Sequence, residues 1–258
     1  MGRLQDKIVI VTGSSTGIGE AIARRIVREG GRVLVHGLEE NDVQRVAADL
    51  GPAAAGHVDD LEDPNSAERT VAAALNAFGR IDGLVNNAAW VVASSIRDTD
   101  PEHFDQVLRI NTRAPLLLIR AALDHLAQTR GCVVNIGSVN AYSGEDIFLP
   151  YSISKGALMT MTRNLGDCLH RQYGVRVNQV NPGWVLTENE KARKVLHGMA
   201  EDWYEHLSPA FAPSGRILRP EEIAAAVLYF LDEESGPISG IVFECEQFPF
   251  VGRNPPKS

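Results

Sequence analysis

The stretch Lys7-Ile-Val-Ile-Val-Thr-Gly-Ser-Ser-Thr-Gly-Ile-Gly19 joins a short apolar run to a glycine-rich turn. Residues 8–11 are all Ile or Val without polar alternation, which predicts a strand buried on both faces. After the turn, Ile18, Ile22 and Ile26 recur at every fourth position and predict the apolar face of a helix. A buried strand, a tight turn and a helix in this order predict the first half of a βαβ unit.

The same alternation of short β-branched runs and longer helical segments continues along the chain. Further strands are predicted at Arg32–His36, Ala54–Val58, Ile81–Val85, Cys132–Ile136 and Val175–Val180. Helices are predicted up to about Leu50, from Ala67 to Phe78, and near residues 105–127 and 152–171. The pattern predicts an α/β fold: a single domain over residues 1–258, built as a Rossmann-like, doubly wound parallel sheet with helices on both faces. Residues 188–215 break the rhythm and predict a helical excursion over the sheet, and the tail after Phe248 is expected to be irregular.

Charge and composition exclude several classes of partner. Among 258 residues, 25 Lys and Arg against 33 Asp and Glu give a net charge of −8, which repels nucleic acid and anionic lipid. The three cysteines are far apart and the histidines are scattered, so neither a disulfide framework nor a metal site is expected. No apolar run approaches the roughly 18 residues of a membrane span. No apolar segment precedes residue 8 either, so we expect a cytoplasmic protein.

The glycine-rich turn predicts a nucleotide-binding loop. Its spacing, Gly-x-x-x-Gly-x-Gly over residues 13–19, places the glycines between the first strand and the first helix. Glycines let the backbone approach a pyrophosphate closely, and the N-terminus of the helix contributes N–H groups and the positive end of its dipole. A glycine turn that only packs is the alternative, but this position favours nucleotide binding.

A Tyr and a Lys lie one helical turn apart at positions 151 and 155. Ser138 ends a buried strand upstream of them, and doubly wound sheets bind ligands at the carboxyl ends of their strands. A free phenol has a pKa of about 10, and a neighbouring ammonium together with a cationic nicotinamide would lower it. Tyr151 is therefore a candidate acid/base for a hydroxyl whose carbon exchanges a hydride, with Ser138 holding the oxygen.

In this order along the chain, the motifs resemble the short-chain dehydrogenase/reductase family from Lys7 to about Glu246. They are Thr12–Gly19, Asp60-Leu61, Asn86-Asn87-Ala88-Ala89, Asn111, Ser138, Tyr151-x-x-x-Lys155, and Pro182-Gly183 with Thr187. The resemblance implies that Asn111, Ser138, Tyr151 and Lys155 form a catalytic tetrad. In it the Tyr is the acid/base and the Ser orients the substrate oxygen. The Lys binds the nicotinamide ribose and lowers the pKa of the Tyr, and the Asn holds a water of a proton relay.

The resemblance also implies a dinucleotide site. In the family, the positions of Asp60 and Leu61 lie beside the adenine, that of Asn87 lies beside the adenosine ribose, and those of Val185 and Thr187 hold the carboxamide. The full set of expected cofactor-binding residues is Gly13, Ser15, Thr16, Gly17, Ile18, Gly19, Gly37, Leu38, Asp60, Leu61, Asn87, Ala88, Tyr151, Lys155, Pro182, Gly183, Val185 and Thr187.

The residues that follow the second strand favour NAD over NADP. The sequence His36-Gly37-Leu38 holds neither an acid for the ribose diol of NAD nor an Arg for the 2′-phosphate of NADP. Glu39 and Glu40 follow directly, and their charges would oppose a phosphate dianion, although His36 could contribute a partial positive charge. We therefore expect NAD, with NADP as the alternative.

Two positions depart from the family pattern. Ala89 replaces the usual Gly beside the cofactor and narrows the freedom of the backbone. Glu246-Gln247-Phe248 replaces the common Asp-Gly-Gly, in a region that usually borders a subunit contact. The family pattern therefore predicts neither the geometry of the oligomer nor one wall of the pocket.

The leading hypothesis is an oxidoreductase that interconverts a secondary alcohol and a carbonyl by direct hydride transfer. The candidate contacts to its small-molecule substrate are Trp90, Asn140, Tyr142 and Trp203, with Tyr204 and His206 nearby in the excursion. Trp203 and Tyr204 could instead only pack the excursion onto the sheet.

Two other functions fit the same motifs. One is a 3-oxoacyl thioester reductase, with Arg130 and Arg171 forming a docking patch for an acidic acyl carrier protein. The other is a non-catalytic, nucleotide-sensing protein of the same fold. The resemblance further implies a homo-oligomer, a tetramer or a dimer, joined through the helices that contain Asn111 and Tyr151.

Overall fold

The computed structural model describes residues 2–249 and 251, and within them seven strands form one parallel sheet. The strands are β1 (Ile8–Val11), β2 (Arg32–Gly37), β3 (Ala54–Val58), β4 (Gly83–Asn86), β5 (Cys132–Ile136), β6 (Arg176–Pro182) and β7 (Val242–Cys245). Their order in the sheet is β3-β2-β1-β4-β5-β6-β7, so the direction of winding reverses between β1 and β4. This arrangement confirms the doubly wound parallel sheet, and ligands of such sheets bind beside that reversal.

Eight α-helices cover the two faces of the sheet in the described part of the chain. They are α1 (Gly17–Arg28), α2 (Glu40–Leu50), α3 (Ser66–Phe78), α4 (Pro101–Leu108), α5 (Ala114–Thr129), α6 (Leu149–Tyr173), α7 (Glu188–Leu196) and α8 (Pro220–Leu231). Buried side chains of α1, α2 and α8 share one core, and those of α3, α5 and α6 share the other. None of these helices is both long enough and apolar enough to cross a membrane.

Successive residues of β1 supply the two cores in turn. Val9 and Val11 pack in the core shared with α1 and α8, whereas Ile10 packs in the core shared with α3 and α5. All three side chains are at most 1% exposed, and burying such a side chain contributes about 1.5–3 kcal/mol. This burial on both faces holds the carboxyl end of β1, and with it the glycine turn, in a fixed place.

The structure differs from the sequence prediction near residues 105–127. A single helix was expected there, but α4 ends at Leu108 and a π-helical turn over Arg109–Arg113 joins it to α5. The wider turn holds Asn111, whose side chain bonds the loop after β4 instead of pointing to solvent. Apolar periodicity did not reveal β7 or α8, and of the predicted tail, residues 250 and 252–258 lie outside the described residues.

The predicted excursion over residues 188–215 is present and has a small core of its own. It contains α7 and a 3₁₀ turn over Trp203–Glu205. Trp203 is 4% exposed and stacks on Trp184, with 5.0 Å between ring centroids and 13° between planes. Ala212 and Ile217 complete this core. The excursion is therefore a packed cover over the carboxyl end of the sheet.

Candidate active site

A cavity of about 1180 Å³ lies between the carboxyl ends of the strands and the excursion. Of the expected site residues, those that line it are Ile18, Asn87, Trp90, Ser138, Asn140, Tyr151, Lys155, Pro182, Gly183, Val185, Thr187 and Trp203. The other expected residues, Gly13, Ser15, Thr16, Gly17, Gly19, Gly37, Leu38, Asp60, Leu61, Ala88, Asn111 and Tyr142, are not part of its wall. Most of that second group belong to the glycine turn and the ends of β2 and β3, which lie on the α1 side.

Tyr151 and Ser138 meet inside this cavity. Ser138 directly follows the buried end of β5, and Tyr151 lies in the first turn of α6. Burial raises the pKa of Tyr151, while hydrogen bonding with Ser138 and the positive charge of Arg193 oppose that rise. The net direction is upward, and the lowering expected from an ammonium together with a cationic nicotinamide stays a prediction. Without a further positive charge the phenol stays protonated at neutral pH.

Lys155 lies one turn further along α6 and is 2% exposed. Its Nζ donates a hydrogen bond of 2.7 Å to the carbonyl oxygen of Ile136 and lies 5.6 Å from the centroid of the Tyr151 ring. Burial lowers the pKa of Lys155 to about 7. In this state the lysine carries only part of a charge near neutral pH, which explains why it does not offset the burial of the phenol.

Asn111 holds the loop after β4 against α6. Its Oδ1 accepts the N–H of Trp90 at 2.7 Å, and its Nδ2 donates to the carbonyl of Trp90 and to Oγ of Ser154, each at 3.0 Å. The side chain is 1% exposed, and its hydrogen bonds hold the loop after β4 in position. The structure thus places Asn111 against α6, next to Lys155 of the implied tetrad. The water relay implied by the resemblance stays a prediction.

The glycine turn has the shape and the free donors that a pyrophosphate requires. A Cβ on Gly19 would overlap the carbonyl oxygen of Gly13 and would lie 2.5 Å from Nδ2 of Asn87. That amide in turn donates to the carbonyls of Thr12 and Gly13, both at 2.9 Å. The N-cap residue Thr16 makes no side-chain bond to the helix, so the first N–H groups of α1 are available to an anion. These residues fit the pyrophosphate of a dinucleotide.

The end of β2 lies directly against the glycine turn. A Cβ on Gly37 would lie 2.6 Å from Oγ of Ser15, so a side chain in this place would require the Ser15 hydroxyl to move. His36 is buried behind the turn, and burial lowers its pKa to about 4. The partial positive charge proposed for His36 is therefore absent at neutral pH. Leu38 is 58% exposed and offers neither charge nor hydrogen bond to a ribose.

The expected adenine-side residues differ in exposure. Leu61 is 6% exposed and packs in the core shared with α3 and α5. Asp60 is exposed and accepts the N–H of Glu62 at 2.9 Å. On the opposite side, Thr187 is the N-cap of α7, and its Oγ1 accepts the N–H of Glu190 at 3.0 Å. The segment expected to hold the carboxamide, Val185 to Thr187, therefore leads directly into the excursion.

The four predicted substrate contacts have different surroundings. Trp90 and Asn140 line the cavity, and the Asn140 N–H donates to Oγ of Ser138 at 3.1 Å. Tyr142 is not part of the cavity wall, and burial and then the charge of Glu244 raise its pKa, so its contact with a substrate stays a prediction. Trp203 borders the cavity, but its ring is mostly used in the stack on Trp184.

Sequence reasoning missed several residues that line the cavity, among them Phe148, Trp184, Glu190, Arg193 and Glu246. Arg193 and Glu190 lie in the excursion, where the only indication from the sequence was that the alternation of strands and helices is interrupted. Glu246 accepts the Trp184 N–H at 3.1 Å, and Gln247 bonds Ser214 at 2.6 Å and the carbonyl of Arg216 at 2.7 Å. The segment that departs from the family pattern therefore fastens the excursion to β7 and closes one wall.

Comparison with known proteins agrees with this architecture. Residues 13–246 match a family model described as enoyl-(acyl carrier protein) reductase. The chain is 32% identical to meso-2,3-butanediol dehydrogenase of Serratia marcescens, over 92% of each chain. It is 36% identical to the short-chain dehydrogenase/reductase FrzI of Cladobotryum sp., over 93% of this chain and 94% of the relative. It is also 34% identical to dehydrogenase/reductase SDR family member 4 of Oryctolagus cuniculus, over 92% and 91%.

The length of these matches and the parallel sheet together settle the relationship. The matched segment begins inside the glycine turn and ends just after β7, and so includes the whole cavity wall up to Glu246. The chain belongs to the short-chain dehydrogenase/reductase family of oxidoreductases.

Proposed function

We propose that this protein interconverts a secondary alcohol and a carbonyl by hydride transfer to or from a nicotinamide dinucleotide. The observation that supports this most directly is the meeting of Tyr151, Ser138 and Lys155 in one cavity, next to a glycine turn shaped for pyrophosphate. The similarity to a butanediol dehydrogenase supports the same class of reaction. Bound NAD or NADP supplies the hydride acceptor and, when oxidised, a positive charge beside the phenol.

The chain's own residues provide the proton chemistry. In the reducing direction, the protonated Tyr151 donates its proton to the carbonyl oxygen that Ser138 holds. In the oxidising direction, the phenolate must form first, and burial opposes it. A protonated Lys155 and the oxidised cofactor together favour the phenolate, because each places a positive charge near the ring. Lys155 also has the position to bond ribose hydroxyls once it turns from the carbonyl of Ile136.

Replacing Tyr151 by Phe tests this assignment. The change keeps the ring and removes the proton donor, so kcat should fall about 10²- to 10⁴-fold while the Kd for cofactor stays within about threefold. Tyr173→Phe, on the same helix at an exposed position, is the matched control and should change neither quantity. Full turnover by the Tyr151 variant would remove this residue from the mechanism. A wild-type protein that binds cofactor but oxidises no alcohol would favour the sensing function.

We further propose that NAD is the preferred cofactor. Neutral His36, exposed Leu38 and the two glutamates that follow provide no cation for a 2′-phosphate. Arg45 reaches the carbonyl of Ser15 at 3.0 Å, but Glu20 already holds its guanidinium at 3.0 Å. We expect kcat/KM for NAD to exceed that for NADP by about tenfold or more. A preference of that size for NADP that is lost in Arg45→Met would contradict the proposal and identify the phosphate ligand.

The thioester-reductase alternative loses the docking patch that the sequence offered. Arg130 is the C-cap of α5 and precedes β5, so it lies at the opposite end of the sheet from Ser138. Arg171 follows Tyr151 by 20 positions on α6, a separation of about 30 Å along the helix axis. Within one copy of the chain, both arginines therefore lie far from Tyr151 and Ser138. We therefore favour free alcohols and carbonyls as substrates.

We also propose that the protein is a homo-oligomer. Leu116 on α5 and Ile153 on α6 are 45% and 44% exposed, on the two helices expected to form contacts. Burying apolar side chains of this size between copies would stabilise a dimer or tetramer. Sedimentation velocity should show a species larger than 28.0 kDa that dissociates when both residues are changed to Glu. A monomeric wild-type protein would contradict the proposal.

A further inference from the structure

Arg193 is a cation in the cavity wall that has been assigned no role so far except to oppose the rise in the pKa of Tyr151. It projects from the middle of α7 and is 28% exposed, with the rest of its side chain covered. Its Cζ lies 5.0 Å from the centroid of the Phe148 ring, and that ring is 6.3 Å from the ring of Tyr151 in an edge-to-face arrangement. One aromatic ring therefore contacts both the guanidinium and the proposed acid/base.

The hydrogen bonds of this guanidinium are incomplete. Nη2 is paired with Oε2 of Glu190, and the face of the group lies on Phe148. Nη1 is buried and has no hydrogen-bond partner in the described part of the chain. A guanidinium is always charged and carries its donors in a planar fork, so an unused buried edge is costly. Arg193 is also one of the residues that line the cavity.

Two carboxylates of the cavity wall, Glu190 and Glu246, already accept hydrogen bonds on both of their oxygens. Glu190 accepts the indole N–H of Trp184 at 2.8 Å with one oxygen and pairs with Arg193 through the other. Glu246 accepts the backbone N–H groups of Trp184 and Gln247 with its two oxygens, at 3.1 and 2.6 Å. Lys194, next to Arg193, also lines the cavity, with its Nζ 5.1 Å from the Trp184 ring. The unpaired Nη1 of Arg193 in this wall needs a hydrogen-bond acceptor, which a carboxylate of the substrate would supply.

From this arrangement we infer that the substrate carries a carboxylate a few bonds from its carbinol carbon, and that Arg193 binds it. The inference rests on the proposed function, because Tyr151 marks the position of the carbinol. A carboxylate matches the planar fork of a guanidinium, and Lys194 adds a second positive charge. The substrate class is thus a short hydroxy acid, or the matching oxo acid in the reducing direction.

The test compares acids with their uncharged counterparts. Racemic hydroxy acids from lactate to 5-hydroxyhexanoate are each assayed beside the methyl ester, together with simple secondary alcohols, using NAD and NADP. The proteins are the wild type, Arg193→Met, Arg193→Lys and Arg171→Met. Arg171 is the matched control, because it is also paired with an acid one turn away on a helix but lies outside the cavity. Calorimetric titration of the same acids in the presence of NADH measures binding without turnover.

We expect the wild type to prefer one acid over its ester. In Arg193→Met, kcat/KM for that acid should fall about 10- to 100-fold more than kcat/KM for uncharged alcohols, mostly through KM, because any effect on the pKa of Tyr151 is common to both kinds of substrate. Arg193→Lys should recover part of the loss, which separates the role of the charge from damage to α7. Arg171→Met should behave as the wild type.

The other outcomes decide between this inference and the proposed function. In one outcome, the wild type turns over esters or simple alcohols at least as well as the acids, and Arg193→Met has the same activities. This result overturns the inference and leaves the proposed function intact. In a second outcome, no compound is turned over, but calorimetry shows that an acid binds to the wild type and not to Arg193→Met. This result overturns the proposed function and retains the anion site. Absence of both turnover and binding overturns both.

Discussion

Replacing Lys155 by Met tests whether the lysine is held uncharged in the protein without cofactor. Lys155 is 2% exposed, and burial lowers its pKa from an ordinary value of 10.5 to about 7. Between those two values the unfolded chain binds a proton that the folded chain does not. By linkage, the free energy of unfolding then rises with pH, by at most 1.36 kcal/mol per pH unit for one proton.

The expected size follows from that pKa. Integrating the difference in bound protons from about pH 7 to 9 gives a gain in wild-type stability of about 2 kcal/mol from this single group. Met has nearly the same length and no titration, so the contribution is absent in the variant. The stability of Lys155→Met relative to the wild type should therefore decrease by about 2 kcal/mol over this range. The variant should also lose activity, because no ammonium is left to favour the phenolate.

Urea denaturation, followed by tryptophan fluorescence at a fixed protein concentration, measures both stabilities at several pH values. Lys191→Met is the control, because Glu188 raises the pKa of Lys191 and keeps it charged in the folded and unfolded states alike. Its stability relative to the wild type should stay constant over the same range. Parallel curves for the wild type and Lys155→Met would refute the reasoning, since they would mean that Lys155 stays protonated when buried.

Three further substitutions test other parts of the site. Gly19→Ala should weaken NAD binding more than about tenfold in a fluorescence titration, because its Cβ would overlap the carbonyl of Gly13; unchanged affinity would mean that the turn does not hold the pyrophosphate. Trp203→Ala should lower the free energy of unfolding by about 3–5 kcal/mol in urea melts, since it empties the small core of the excursion. A loss below about 1 kcal/mol would show that this core does not stabilise the fold. Asn111→Ala should lower kcat more than it raises the Kd for cofactor, because three hydrogen bonds that position the loop after β4 are lost; equal effects on both would place its role in cofactor binding.

The order of the elements was readable from local patterns. The predicted bounds of β3 and β5 agree with the structure. All five residues of β5 are buried, which leaves little choice of strand, whereas β3 lies at the edge of the sheet and is partly exposed. The glycine turn was equally clear, since few other local conformations bring backbone N–H groups that close to a phosphate. The helix ends were less certain, and the π-helical turn at Arg109–Arg113 interrupted what periodicity showed as one helix.

The candidate site divides in the same way. Ser138, Tyr151 and Lys155 were found from spacing, because strand ends and helical turns place such residues predictably. The direction in which the protein shifts the pKa of Tyr151 could not be predicted from spacing, since it depends on how deeply the phenol and the lysine are buried. Arg193 could not be distinguished from an ordinary surface arginine until α7 was packed over the cavity.

The sequence by itself therefore indicated the alternation of strands and helices, the glycine turn and the candidate residues of the proton chemistry, because each leaves a pattern within short segments of the chain. Tertiary structure alone decided the charge state of Lys155, the neutral state of His36 and the exposure of Arg193 to the cavity. These properties depend on desolvation and on neighbours far away in the chain, which only the packing of the excursion and of α6 against the sheet brings together.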